Sequence, residues 1–396
     1  MFEQSELNIG TLGHVDHGKT TLTYALTHTW TDKHSESIKR SMTIKLGYAD
    51  AIIRKCSDDP NAIDYSTSNC NNGKIVRRIS LLDSPGHETL MATAIAASNL
   101  IDGALFVIAA NEPCPMPQTK EHLMLINALG LKNTIIVQTK VDIVGKDAAK
   151  KHYQQIKNFI KGSVIENSEI IPVVASKNIN IDYLLSKIVE MPIPKRDLDS
   201  DPLMFVARSF DVNRPGTPIN ELIGGVIGGS IIKGKFRIGD EIEIRPGIKD
   251  NKKDKYTPII TKILSLSTST NKLEEAKPGG LIAIGTPLDP AITKADSLVG
   301  QVVGLAGKLP EPITQATLRY FDLNRSDIPK QGFRENEPII MGIGTGTVVG
   351  YITKVKKDVI EVIAKRPIII DKNMKISIMR NISQRWRLTG YATINS

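Results

Sequence analysis

The sequence predicts an α/β domain built on a mostly parallel, doubly wound sheet, followed by two antiparallel β-barrel domains. Three observations carry this reading. Gly13-His14-Val15-Asp16-His17-Gly18-Lys19-Thr20 stands between the apolar Leu7, Ile9 and Leu12 and a helix-like run from Thr21 to Trp30. Up to about residue 190, short apolar runs alternate with helix-like segments, as in a parallel sheet covered on both faces. Past a proline-rich, charged stretch the helix pattern fades and short β signals take over.

A strand, a Gly-x-x-x-x-Gly-Lys-Thr loop and a helix start make a phosphate cradle. Gly13 and Gly18 let the backbone wrap so that successive N–H groups from His14 to Thr21 face phosphate oxygens, and Lys19 adds a cation. The Thr20 hydroxyl is then placed for Mg²⁺. The next apolar runs, Ile79 to Leu82, Ala104 to Ala110, Thr134 to Val137 and Ile170 to Val174, read as strands of the same sheet. Ligands on such sheets sit beyond the carboxyl ends of the strands, so the residues just past each run are where chemistry should appear. Asp83-Ser84-Pro85-Gly86-His87 comes after the first, Thr139-Lys140-Val141-Asp142 after the third, and Ala175-Ser176 after the fourth.

In a nucleoside triphosphatase, an Asp beside the phosphate loop holds Mg²⁺ through water, and a Gly after Pro offers its N–H to the γ-phosphate. Lys140 and Asp142 suit guanine, whose N1–H and 2-amino group both donate to one carboxylate. Adenine presents neither donor and leaves that carboxylate unpaired, at a cost of about 1 to 3 kcal/mol or more. GTP is therefore the expected nucleotide. Between the loop and Asp83, Thr43 is the candidate to close over Mg²⁺ and the γ-phosphate and to relax when that phosphate is lost.

Met191 to Pro202, rich in proline and charge, reads as a linker. It divides a GTP-binding domain (1–195) from one β domain (201–309) and a second (311–396). Within the β region, strands are expected at Met204 to Val212, Gly224 to Ile232, Glu241 to Ile244, Ile259 to Leu266 and Leu281 to Gly285, then at Pro338 to Gly342, Val348 to Val355 and Asp358 to Ala364.

Composition narrows the class. Of 396 residues, 41% are hydrophobic and no run of 18 apolar residues occurs, so no membrane span is expected. No basic-then-apolar leader opens the chain, and a cytoplasmic location is expected. Three cysteines are too few for a disulfide framework, which suits a reducing compartment, and Cys56 and Cys70 without a second pair argue against zinc. The formal charge of +9 is compatible with RNA as a partner and equally with a solvated cationic surface.

These motifs in this order resemble the translational GTPases. Gly13 to Thr21 and Asp83-Ser84-Pro85-Gly86-His87 belong to the whole superfamily, including elongation factor Tu. A finer pattern resembles the γ-subunit family of archaeal and eukaryotic translation initiation factor 2. It rests on Ile44 to Ala51, Ala109 to Pro115, Pro117 to His122, Arg208 to Asn213, Gly239 to Gly247, Lys277 to Leu281 and Arg385-Trp386-Arg387. The resemblance implies a heterotrimer with α and β subunits, in which the GTP form carries methionylated initiator tRNA to the small ribosomal subunit and hydrolysis releases it. It also implies activating and exchange factors. By the family pattern, Lys19 holds the β- and γ-phosphates, Thr20 and Thr43 bind Mg²⁺, Asp83 reaches it through water, and Gly86 senses the γ-phosphate. His87 positions the attacking water behind a gate of Val15 and Met42. Lys140 and Asp142 hold guanine, with the Ala175 N–H near O6 and Ser176 beside it.

The chain departs from the family at several positions. Thr139 stands where Asn is usual, which predicts weaker nucleotide binding. Val174 and Ser176 replace Ser and Leu, Ser41 and Met42 replace Gly and Ile, and two of four knuckle cysteines are missing. Gly300 to Gly304 leans toward the eukaryotic branch. Two other readings stay open here: a nucleotide-binding scaffold that no longer hydrolyses, and an elongation-type GTPase for another aminoacyl-tRNA.

Overall fold

The structure is a computed structural model and describes residues 4–31, 47–68, 70, 73–84, 100–214, 216–218, 221–250, 252, 255–323, 325, 328–329, 331–371 and 374–395. The chain divides into two compact units, with the change at Pro194 and Lys195.

The first unit is built on a sheet in the order β3-β2-β4-β1-β5-β6-β7. Its strands are β1 (Leu7–Leu12), β2 (Gly47–Lys55), β3 (Tyr65–Ser66), β4 (Lys74–Asp83), β5 (Gly103–Ala109), β6 (Thr134–Thr139) and β7 (Ile170–Pro172). β1 runs parallel to β4 and β5, and β5, β6 and β7 continue the parallel run. β2 and β3 add an antiparallel edge. The buried strand β5 shows why the sheet is covered twice. Leu105 and Val107 enter one core with Leu22 and Leu26 of α1 (Lys19–Thr27), while Phe106 and Ile108 enter the opposite core with Ile126 of α2 (Pro117–Leu129) and Ile156 of α3 (Lys146–Ile160). α4 (Ile181–Glu190) packs Leu184, Leu185 and Ile188 into the first core.

Parallel register brings the carboxyl ends together. Thr11 lies beside Asp83, Leu12 beside Phe106, and Ala109 beside Thr139. The predicted site segments therefore leave the sheet from one edge.

One expectation is corrected. Cys56 and Cys70, read from the sequence as reduced thiols, are joined by a disulfide. β2 pairs with both β3 and the start of β4, Lys55 lying opposite Tyr65 and Lys74. That folds the intervening excursion back, and a turn with Gly73 N–H on the Cys70 carbonyl sets the two Cα atoms 5.7 Å apart. A count of cysteines sees none of this.

The second unit holds the β region. Its first part is an eight-stranded antiparallel sheet in which Leu203–Phe210 and Val226–Lys233 are central neighbours. Met204, Val206, Ile227, Phe236, Ile244 and Ile284 are among the side chains filling its core. Its second part is a closed six-stranded barrel from Ile313–Asp322 to Arg385–Ile394, packed inside by Leu318, Ile339, Met341, Ile360, Ile378 and Ala392. The two parts meet closely. Lys233 pairs with Asp371 at 2.7 Å, and Arg245, itself buried, spans Glu243 at 2.6 Å and Glu311 at 2.7 Å. At Gly300 and Gly346 the backbones touch: a Cβ at Gly300 would lie 2.9 Å from the Gly346 Cα, and one at Gly346 would lie 2.7 Å from the Gly300 Cα.

Candidate nucleotide site

The loop between β1 and α1 owes its shape to two glycines. Gly13 has φ 145° and sits so near β5 that a Cβ there would lie 2.2 Å from the Val107 carbonyl oxygen. Gly18 has φ 85° and caps α1. The Gly13 N–H donates to Nδ1 of His122, a fully buried residue of α2, at 3.2 Å. Between the glycines, Val15 is half-buried, Asp16 is exposed with φ 60°, and His14 is buried with its ring 5.2 Å from that of His17.

Lys19 and Asp83 meet at the base of this loop. Lys19 donates to the Gly13 carbonyl at 2.9 Å and the His14 carbonyl at 2.6 Å. Burial pulls its ammonium down to about 8, against the pull of Asp83 and Asp16. Asp83 is fully buried, and burial pushes its carboxyl above the ordinary range although three hydroxyls serve it. Thr20 and Thr31 each donate to Oδ2 at 2.7 Å, and Thr11 donates to Oδ1 at 3.1 Å. The Thr20 hydroxyl and the Asp83 carboxylate thus converge at one place, an oxygen-only pair of the kind Mg²⁺ accepts.

The segment after β6 returns to the same loop. Thr139 is buried and donates its hydroxyl to the His17 carbonyl at 2.7 Å. Lys140 follows with φ 58°, turning the chain outward. Asp142 accepts from Lys177 at 2.8 Å, and that hydrogen bond holds its carboxyl below the ordinary range. Lys177 ends the short helical turn Ala175–Lys177, which brings Ala175 and Ser176 beside the same segment. Of the residues singled out in the sequence, Lys19, Thr20, Asp83, His17 and Thr139 form one connected cluster, and Asp142 and Ala175 are joined through Lys177. Thr43, Met42, Gly86 and His87 lie outside the described residues.

Sequence reasoning assigned no role to five groups that build the site. Thr11 and Thr31 carry no signal; His122 and Glu112 stand inside motifs quoted for the resemblance; Lys177 directly follows Ser176. The tertiary fold, and not their spacing in the sequence, brings them to the site.

Comparison with known proteins agrees with this geometry. The elongation factor Tu GTP-binding domain matches residues 4–194, elongation factor Tu domain 2 matches 224–304, and the initiation factor eIF2 gamma C-terminal domain matches 319–394. Translation initiation factor 2 subunit gamma of Methanocaldococcus jannaschii is 50% identical over 405 residues, covering 99% of this chain and 98% of the relative. The chain belongs to the γ-subunit family of translation initiation factor 2. The γ subunits of Archaeoglobus fulgidus, 48% identical over 98% of this chain and 94% of the relative, and of Aeropyrum pernix, 49% identical over 99% and 98%, agree. Among solved structures, a bacterial selenocysteine-specific elongation factor superposes with TM-score 0.76 at 25% identity, over 99% of this chain and 58% of the other. Elongation factor SelB from Methanococcus maripaludis, in complex with the GTP analogue GppNHp, gives 0.75 at 22%, over 100% and 80%. The γ-subunit family is one of translational GTPases, and the chain carries their GTP-binding domain. No helix among the described residues is long and apolar enough to cross a membrane.

Proposed function

We propose that this chain is the GTP-switched carrier of methionylated initiator tRNA to the small ribosomal subunit, working in the cytoplasm with α and β subunits and with activating and exchange factors. The observation that carries it is the cluster of Lys19, Thr20 and Asp83 at the end of β1, joined through His17 to Thr139, in a chain alike to γ subunits over nearly its whole length.

Lys19 serves the β- and γ-phosphates, and its lowered proton affinity is restored by their charge. Thr20 and Asp83, with Thr43, are the oxygen set for Mg²⁺, which when bound neutralises phosphate charge. The backbone from His14 to Thr21 wraps the phosphates, and Gly86 senses the last of them. Lys140 and Asp142 hold the guanine ring, with Ala175 and Ser176 at its O6 edge. His87 orients the attacking water behind Val15 and Met42. The protein's part is placement and electrostatics, since phosphoryl transfer asks little covalent chemistry of it. The domain limits 1–195, 201–309 and 311–396 assign the switch to the first part and tRNA contact to the others.

Two measurements test this. The chain reconstituted with its α and β subunits should retain initiator methionyl-tRNA on filters with GTP and release it with GDP; equal retention in both, or equal retention of elongator methionyl-tRNA, sinks the assignment. Asp142→Asn should move preference from GTP to xanthosine triphosphate, because an amide donates to the 2-oxo group that the carboxylate repels.

A further inference from the structure

His17 is held in the phosphate loop through both its backbone and its ring. Its N–H donates to the His14 carbonyl at 3.4 Å, and its carbonyl accepts the Thr139 hydroxyl at 2.7 Å. Its ring lies between two further groups: Nδ1 is 3.1 Å from the Val107 carbonyl, and Nε2 is 3.2 Å from Glu112 Oε2. The His17 side chain is 1% exposed, and that of Glu112, just past β5, is 26% exposed.

Both ring nitrogens therefore face acceptors. A neutral imidazole has one N–H and one lone pair. With Nδ1–H committed to Val107, a neutral ring beside an ionised carboxylate sets lone pair against lone pair. The pair closes only with one more proton between Glu112 Oε2 and His17 Nε2, and that proton belongs to the two side chains together. The other titratable groups that face the ring are His14 on the loop, Lys19 on α1, Lys140 past β6, and His122 on α2. Burial first, then the neighbouring His14, Lys19 and Lys140, hold the imidazole down at about 3 against the Val107 carbonyl, so the ring does not keep that proton by itself.

We infer that Glu112 is a positioning residue for the phosphate loop: through a proton shared with His17 it fixes the loop backbone against β5 and so sets the lifetime of bound guanine nucleotide. The Thr139 link then holds the same residue from β6, and His17 ties both strand ends to the phosphate site. The inference rests on reading this loop as the phosphate site.

The test is the dissociation rate of a fluorescent GDP analogue from the full chain. Glu112→Ala removes the shared proton and should speed release about tenfold. Glu112→Gln donates an amide N–H to the neutral Nε2 with nothing to titrate, and should stay within about twofold of the unaltered chain. Release from the unaltered chain should quicken as rising pH removes that proton, while E112Q stays flat. Unchanged release from E112A, E112Q as fast as E112A, or equal pH slopes in E112Q and the unaltered chain would each overturn the inference. Should E112A fail to fold, the pH comparison with E112Q decides alone. If the unaltered chain does not bind the analogue, the phosphate-site reading itself falls.

Discussion

Thr139→Val is the sharpest probe of how the guanine segment is joined to the phosphate loop. Valine keeps the shape of threonine and removes only the hydroxyl that donates to the His17 carbonyl at 2.7 Å, in a place where Thr139 is 2% exposed. A buried carbonyl left without its donor costs about 1 to 3 kcal/mol. Taken wholly as affinity this is roughly five- to a hundred-and-fiftyfold. The cost divides between the ligand-free fold and the nucleotide complex, because the loop conformation serves both. GDP affinity should therefore weaken by some share of that factor, and Tm should fall by about 2 to 4 °C for each kcal/mol that appears as stability. Thr139→Ser, which keeps the donor, is the control and should lie close to the unaltered chain. Titration calorimetry with GDP and a thermal melt read the two shares. Unchanged affinity with a lowered Tm would reduce the hydroxyl to a packing role, and no change in either would refute the reasoning.

Gly13→Ala should abolish GDP binding and lower Tm, because the new Cβ lands 2.2 Å from the Val107 carbonyl on a backbone with φ 145°; calorimetric binding close to that of the unaltered chain would contradict so close an approach of loop and strand. GDP binding near pH 8 should take up about half a proton, measured in buffers of different ionisation heat, and Lys19→Gln should abolish the uptake. The sign follows from burial: the folded ammonium titrates at about 8 against 10.5 when exposed, so between those values the unfolded chain holds more protons and this group's penalty on stability eases as pH rises. In the closed six-stranded barrel, Arg380 meets Glu337 at 2.5 and 2.9 Å, donates to the carbonyls of Gln331 and Gly332, and lies 4.4 Å over the Phe333 ring. Arg380→Ala should cost about 3 to 5 kcal/mol in urea unfolding, since a nearly buried carboxylate is left behind.

Much of the fold was legible because its signals are local. The apolar runs of β1, β5 and β6 are short, bounded and fully buried, and the glycine spacing at 13 and 18 announces the loop between them. The core of the site was legible as well, since Lys19 and Thr20 open the helix after the glycine loop and Asp83 ends a strand. What stayed hidden depends on register. Thr31 reaches Asp83 across 52 positions, and Thr139 reaches His17 across 122. At Thr139 the sequence shows only that Asn is replaced; the structure adds that its hydroxyl donates to the His17 carbonyl. The Cys56 disulfide escapes the sequence for a similar reason, because pairing of β2 with β3 and β4 creates the proximity.

The touching backbones at Gly300 and Gly346 bear on inheritance. Each position belongs to a different part of the β region, yet neither tolerates a methyl group while the other keeps its place. A side chain gained at one must be answered by a shift at the other. The two parts therefore cannot be recombined freely with counterparts from other factors: a chimera that exchanges one of them must carry its matching seam, or leave a gap where two glycines now meet.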